Sequence, residues 1–421
     1  MKDTLQKRVL ILALYAGEIM MKSGAEIYRV EDTIVRICRA CRIDYVECFA
    51  TTTGIFLSLD SGRDENDMHT FIKRIGGTGI DLLKISRINH FSRVFTTTDL
   101  SVADGFEQLR EINAAKSMSV WIRILGAMLV GAFLAPYFGA SILDMTCAAI
   151  TSGLSYCIAL GIEKLRFPSF IRIFVSCAGC ALLVLSLSSL GLGHSVSPVL
   201  IGGTAIFMPG VAITNAARDM LSGDMLSGVA RFTEALIAAV AIAGGIGAMM
   251  KIWFLLGGEI APDDSVEYEP GFFFLFGFFT TVGFCILFNA PKKLIPLISG
   301  IGAVGMFAMA FGVHLGYGAV GSAFIGSCIV AILAECSSRA GRDATTVFIL
   351  PGIIPFVPGA TIYKTMENIL DGNFASATSN GVETFATAGS IAVALILIAS
   401  VVRLFNALLR RIRHLPDKSE H

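Results

Sequence analysis

The chain reads as an α-helical integral membrane protein of about ten transmembrane helices, arranged as two inverted five-helix repeats behind a small α+β cytoplasmic N-terminal domain. Three observations predict this class. The composition is too apolar for a protein dissolved in water: 54% of the 421 residues are hydrophobic, 16% are charged and the mean hydropathy is +0.71. An ordinary globular domain carries about 25% charged residues. The charge is also uneven, because residues 1–118 are rich in Lys, Arg, Asp and Glu while the chain after Ser119 is sparse in them. Finally, from Val120 onward apolar stretches of about 18–25 residues recur, the length that crosses roughly 30 Å of hydrocarbon as a helix.

The N-terminal part comes first. In residues 5–41, Leu5, Val9, Leu12, Ile19, Ile27, Val30, Ile34 and Ile37 recur at helical spacing with Arg and Glu between them, as in an amphipathic helix or a helix pair broken at Ser23-Gly24. Residues 45–49 and 54–59 are β-formers on either side of Thr51-Thr52-Thr53-Gly54, and Asp60-Ser61-Gly62 closes the second run as a turn. Residues 81–95 and 102–115 return to helix, the second after the cap residues Asp99 and Ser101. Glu18, Lys22, Glu26 and Arg29 interrupt the early apolar run, so no secretory signal is expected and the N-terminus is expected to be cytoplasmic.

Ten apolar segments follow, near 120–138, 142–161, 171–190, 196–217, 229–256, 271–290, 294–313, 315–335, 344–363 and 382–402. Pro351, Pro355 and Pro358 interrupt the ninth. Loop charge tests the count, because Lys and Arg concentrate on cytoplasmic loops. With the N-terminus inside, the even-numbered loops carry Lys164, Arg166 and Arg172, then Arg218 and Arg231, then Lys292 and Lys293, then Arg339 and Arg342; Arg403, Arg410, Arg411 and Arg413 follow the last segment. The odd loops hold Gly191–Ser197, Asp263, Asp264, Glu267 and Glu269, the stretch around His314, and Lys364. Both termini are therefore expected inside a cell (inner) membrane. The divisions expected are a cytoplasmic α+β domain at 1–118, membrane repeats at 119–260 and 268–408, and a cytoplasmic tail at 409–421.

An offset of 149 residues superposes Pro209-Gly210 on Pro358-Gly359, Leu221 on Leu370, Gly223 on Gly372, Ser227 on Ser376 and Glu234 on Glu383 without a gap. Five helices per half is an odd number, so the halves must lie in the membrane with opposite orientation, a recurring plan of secondary transporters. Such folds bind substrate near the midplane where helices break, because freed backbone groups and half-helix dipoles supply polar ligands without full charges. Pro209-Gly210, Pro351-Gly352 and Pro358-Gly359 are the candidate breaks, although proline inside a membrane helix also serves as a packing kink. Thr214, Asn215 and Arg218 complete the expected substrate contacts. Glu234, Glu383, Asp219, Asp144 and Glu335 are the acids placed to carry a proton, since ionisable groups within spans are costly to keep there; an interfacial, solvated role is open to each.

Other classes find little support. Net charge is zero, which gives no reason to expect nucleic acid. Cys177 and Cys180 form a C-x-x-C in an apolar helix without His or a second pair, so the ten cysteines read as small packing residues and no metal is expected. Gly76-Gly77-x-Gly79 lacks the Lys-Ser/Thr of a phosphate loop and the Rossmann spacing. No H-E-x-x-H, G-x-S-x-G or Walker motif is present, so neither an enzyme nor a cofactor is expected, and transport cannot be energised by the chain's own ATP hydrolysis. The partners expected are a small-molecule substrate and the lipid bilayer; a homo-oligomer is compatible with the sequence.

The stretch from Met20 through Lys22, Gly24, Glu26, Arg29 and Glu31 to Thr33, followed by Cys48-Phe49-Ala50 and Gly54-Ile55-Phe56-Leu57, resembles the N-terminal domain of the threonine/serine exporter family. The later Pro-Gly segments resemble the smaller membrane half of the same family, so the likeness covers essentially the whole chain. In some relatives the halves are separate proteins resembling succinate-type dicarboxylate exporters; here they are fused. The resemblance implies an inner-membrane exporter of small amino acids, driven by the proton gradient, with ten spans and a cytoplasmic N-terminal domain. Gly24, Arg29 and Glu31 match the family motif, and folding, gating and binding are all open as their role. Dicarboxylate export, to which Arg218 and Arg231 could contribute cations, is the runner-up. A membrane-tethered enzyme or sensor and a passive channel are the readings from other classes.

Overall fold

The computed structural model describes residues 2–43, 45–60, 68–77, 79–98, 100–259, 264–341 and 343–413. The expected Ser61-Gly62 turn, the Asp99 cap, the loop residues Asp263 and Arg342, and residues 414–421 of the tail lie outside them.

The chain opens with helices α1 (Lys2–Lys22) and α2 (Ile27–Ala40). Gly24, at φ +82°, makes the turn between them, and a Cβ there would fall 2.7 Å from the carbonyl oxygen of Gly79. That is the break expected at Ser23-Gly24. Strands β1 (Val46–Thr51), β2 (Gly54–Asp60) and β3 (Met68–Arg74) form an antiparallel meander, with Thr51 opposite Gly54 at the first hairpin. Ile55, Leu57 and Leu59 alternate onto the buried face and join a core with Ile27, Val30, Ile34 and Ile37 of α2. Phe49, Phe56 and Ile72 stay exposed on the other face. The third strand falls where the sequence predicts no element. Helices α3 (Leu82–Thr97) and α4 (Val102–Ala114) complete the unit. The Asp81 carboxylate caps α3 by accepting from the Lys84 amide at 3.1 Å, and Ser101 caps α4 through the Asp104 amide at 3.2 Å.

The rest is helical: α5 (Val120–Leu134), α6 (Ile142–Lys164), α7 (Ser169–Ser189), α8 (Val196–Thr204), α9 (Gly210–Leu221), α10 (Met225–Leu255), α11 (Phe272–Leu287), α12 (Ile295–His314), α13 (Gly318–Gly341), α14 (Thr345–Ile353), α15 (Gly359–Leu370) and α16 (Phe374–Arg413). Among the described residues, seven helices are long and apolar enough to cross a membrane. Two bent pairs, Val196–Phe207 with Gly210–Leu221 (59°) and Thr345–Phe356 with Gly359–Ile369 (45°), raise the number to nine if each is one span. The expected sixth span is the 16-residue apolar helix α11, which at 1.5 Å per residue reaches only about 24 Å.

The 149-residue offset is repeated in the elements themselves. α8 and α14, the short 3-10 turns Ala205–Phe207 and Ile354–Phe356, and α9 and α15 all begin and end at that spacing. Packing recurs as well, with α10 against α7 as α16 lies against α13, and α6 against α8 as α12 lies against α14. Gly223 and Gly372 follow α9 and α15 at φ +96° and +73°.

The connecting loops meet in two groups. In one, the Leu82 and Leu83 amides donate to the carbonyl oxygens of Phe288 and Asn289 at 2.9 and 3.0 Å, and Ser86 donates to Asp343 at 2.8 Å. In the other, the Val266 amide donates to Gly139 O at 2.9 Å, Ser195 Oγ to Asp264 O at 2.7 Å, and Tyr268 Oη to Ala140 O at 2.8 Å. The first group lies against the N-terminal unit and belongs to the even-numbered loops; the second is drawn from the odd ones.

Candidate functional site

Proline dictates where the bent pairs break. Met208 and Val357, each followed by Pro, are held extended at ψ 131° and 140°, because the ring of a following proline disfavours the helical region. Pro209 and Pro358 then start new helices. The two breaks lie against each other: a Cβ on Gly359 would fall 3.0 Å from Met208 Cβ and 3.7 Å from Gly210 Cα, and one on Gly210 would fall 2.8 Å from Val357 Cγ1. Only residues without side chains permit this approach.

A cavity of about 500 Å³ opens at the crossing. The first turns of both new helices line it, Gly210–Ala212 of α9 and Gly359–Thr361 of α15. First-turn amides have no partner within their own helix and carry the positive end of the helix dipole, so two such ends converge on one space. Glu234 of α10, Glu383 of α16 and Asn215 also line it, among aromatic walls that include Tyr137, Phe138 and Phe284. Met21, Gly24, Thr52, Gly79 and Ile80 of the N-terminal unit close one end. Such a space offers a carboxylate the amide ends and an ammonium the glutamates.

Of the other expected residues, Thr214 is buried beside this region and its hydroxyl has no hydrogen-bond partner among the described residues. Pro351 and Gly352 lie within the buried helix α14, which runs on through them, and a Cβ on Gly352 would meet Val330 at 3.1 Å. The break expected there falls at Val357-Pro358 instead. Asp144 is distant from the cavity, in the far group of loops. Its carboxylate completes a capping box with Ser141 and accepts the His194 and Ser195 amides at 2.7 and 3.3 Å. Glu335 accepts from Arg339 at 3.3 Å and Thr345 at 3.2 Å. Glu31 accepts the Ala50 amide at 2.8 Å, tying α2 to β1; burial pushes its carboxyl above the ordinary range, the Ala50 bond opposing.

Glu26, which lies inside the family motif and was not among the expected site residues, makes charged contacts of long reach. It is 6% exposed at the start of α2. Its carboxylate pairs with Arg29 at 2.7 Å and with Arg218 of α9, and accepts from Thr346 of α14 at 2.8 Å. One carboxylate of the N-terminal unit thus holds both halves of the helical region. Burial raises its pKa, but Arg29 and Arg218 more than offset this and keep the carboxyl below its ordinary value. Arg218 is therefore engaged. Arg231 Nε lies 3.0 Å from Asp219 Oδ2, close enough for an ion pair although not aligned as a hydrogen bond. The only sequence signal for Glu26 was its place between Gly24 and Arg29; nothing local points to a partner 192 residues away.

Among the described residues no group of three His, Cys, Asp or Glu could hold a metal ion. Cys177 and Cys180 are fully buried and free.

Apolar helices of spanning length around a cavity at two broken helices define a multi-pass membrane protein of the transporter class. Two family models match the chain, one described as a threonine/serine exporter over residues 11–253 and one described as "Threonine/Serine exporter, ThrE" over residues 273–401. The chain belongs to the threonine/serine exporter family. A Corynebacterium glutamicum "Threonine/serine exporter" is 21% identical over 402 residues, covering 92% of this chain and 81% of that protein. A Mycobacterium tuberculosis "Probable threonine/serine exporter" is 23% identical over 246 residues, 58% of this chain and 46% of the relative. A Kluyveromyces lactis "Pheromone-regulated membrane protein 10" is 23% identical over 379 residues, 85% of this chain and 38% of the relative. The chain thus spans less than half the length of the latter two. No solved structure matches it.

Proposed function

We propose that this chain is a secondary exporter of small amino acids of the threonine/serine type, with ten spans in two inverted halves and both termini in the cytoplasm. The divisions are those read from the sequence, 1–118, 119–260, 268–408 and 409–421, with α11 as the sixth span. The observation that carries the reading is the convergence of Glu234, Glu383 and the first turns of α9 and α15 on one cavity. A zwitterion suits that combination: its carboxylate faces the amide ends and its ammonium the glutamates. Glu234 and Glu383 each stand nine residues into their helices, about 14 Å along the axis and near the middle of a 30 Å core if the halves are inverted. Proton exchange at these two acids couples export to the gradient. Asn215 orients the substrate, and Pro209, Gly210, Pro358 and Gly359 set the break. Arg218 is spent on Glu26, and Arg231, which also lines the cavity, lies against Asp219, so a dicarboxylate finds neither of these two cations free.

Cells loaded with a threonine- or serine-containing dipeptide test this. Glu234→Gln and Glu383→Gln at normal membrane levels should each lower amino-acid efflux by about tenfold or more, the loss of one charge-assisted contact. Succinate efflux without amino-acid efflux from the wild type would replace the reading with dicarboxylate export.

A further inference from the structure

A second cavity, of about 1020 Å³, lies on the side of the odd-numbered loops, lined by Gly139, Ser265–Tyr268, His314 and one stretch of α15. From α15 it receives Tyr363, Lys364, Glu367 and Asn368. Tyr137 and Phe138 line both this cavity and the central one, so two aromatic residues form the partition between them. They belong to the 3-10 turn Ala135–Phe138 that ends α5. Tyr137 meets Phe138 edge-on at 5.2 Å and Phe273 at 5.8 Å. On the far side, Lys364 Nζ lies 5.9 Å from the centre of the Phe138 ring.

Lys364 and Glu367 are opposite charges three residues apart on one helix, which places them on neighbouring turns of one face. Among the described residues neither is in an ion pair. Glu367 accepts the Tyr363 hydroxyl at 2.6 Å, which fixes its carboxylate at the cavity wall, and Asn368 Nδ2 donates to the Lys364 carbonyl at 2.7 Å. By the 149-residue offset, Lys364 and Glu367 stand where the other half has Asn215 and Arg218. The corresponding stretch of α9 therefore faces the central cavity and the N-terminal unit, while that of α15 faces the second cavity. A cation and an anion three residues apart on one helix face, at the wall of a cavity of about 1020 Å³, complement the carboxylate and ammonium of a free α-amino acid.

We propose that this outer cavity is an exit site for a zwitterionic amino acid, Lys364 taking its carboxylate and Glu367 its ammonium, with Tyr137 and Phe138 dividing it from the central site. The proposal rests on the exporter reading above. Because Lys364 also rests on the Phe138 ring, a carboxylate that draws the ammonium away loosens the partition from outside.

Inhibition by external product reads this site without entering from the cytoplasm. Efflux from dipeptide-loaded cells is measured with increasing external threonine, each variant being normalised to its own rate in amino-acid-free medium and to its membrane level. Lys364→Gln and Glu367→Gln should each raise the half-inhibiting threonine concentration about tenfold, as expected for one lost charge-assisted contact. Lys364→Arg should restore it to within about threefold, since the charge is kept. External N-acetylthreonine, which lacks the ammonium, should inhibit the wild type poorly. Wild-type export that external threonine does not inhibit, or a half-inhibiting concentration unmoved by both Gln variants, overturns the exit site alone. Wild-type cells that export no amino acid overturn the exporter reading and the exit site with it.

Discussion

Glu26→Ala should loosen the N-terminal unit against the helical region, leaving the main-chain joint at Leu82 and Leu83 in place. The substitution leaves Arg29 and Arg218 facing each other without their shared carboxylate and leaves Thr346 without its acceptor. Removing one partner of a buried ion pair costs about 3–5 kcal/mol, because the remaining charge is uncompensated. The expected signs are a lower melting temperature of the purified full-length protein and faster proteolysis in the connection 115–119. Glu26→Ala combined with Arg218→Ala should recover part of the loss, since fewer charges are stranded. The same carboxylate gives a pH signature. Its folded pKa is depressed, so its contribution is present above the unfolded value of about 4.3 and is lost as pH falls through the lower folded value. The wild-type melting temperature should therefore drop below about pH 4 by a step that Glu26→Gln lacks. A melting temperature and protease pattern identical to wild type in Glu26→Ala would show that Glu26 does not clamp the two regions together.

Gly359→Leu should abolish export while the chain still reaches the membrane. Its Cβ would begin 3.0 Å from Met208 Cβ, and the longer side chain must press on the facing break or fill the central cavity that Gly359 lines. Overpacking a tight contact typically costs about 1–3 kcal/mol, too little to unfold a large helical protein but enough to force the breaks apart. Gly210→Val carries the same expectation from the other side, its Cβ starting 2.8 Å from Val357 Cγ1. Gly389→Leu is the control, because nothing lies within 4 Å of a Cβ there. Efflux at matched membrane levels decides, and wild-type rates in Gly359→Leu would show that the breaks need not touch.

Much of the helical plan was legible because lipid and water leave strong periodic marks. The spacing of Ile27, Val30, Ile34 and Ile37 located α2, and Pro209-Gly210 and Pro358-Gly359 located the bends, since proline has one set of consequences wherever it falls. Pro351 misled for the same reason, because a proline held among packed neighbours can sit within a helix without ending it. Strand β3 escaped because Met68-His-Thr-Phe-Ile-Lys-Arg74 has no clean alternation; its pairing with β2 decides its state. The candidate site was legible only in part. Glu234 and Glu383 stood out as acids at equivalent repeat positions, and both line the central cavity. The Glu26 clamp was not legible, since an acid beside an arginine is ordinary in any charged segment and its distant partners are fixed by tertiary structure. Asp144 looked like an acid inside a span, whereas it completes the capping box of α6 with Ser141 and accepts the His194 and Ser195 amides.

The junction of α3 with α11 has a mechanical consequence. The leading amides of α3, at Leu82 and Leu83, bond to the trailing carbonyls of Phe288 and Asn289 just beyond α11. The unsatisfied donors of one helix thus meet the unsatisfied acceptors at the end of another. The joint is made of main chain, so side-chain exchange can leave it intact. It splices the short α11 end to end with a helix of the N-terminal unit. Any displacement of the sheet and its helices would therefore strain the end of α11, where Phe284 and Phe288 line the central cavity. The N-terminal unit is in this sense wired through main chain to the wall of the central cavity.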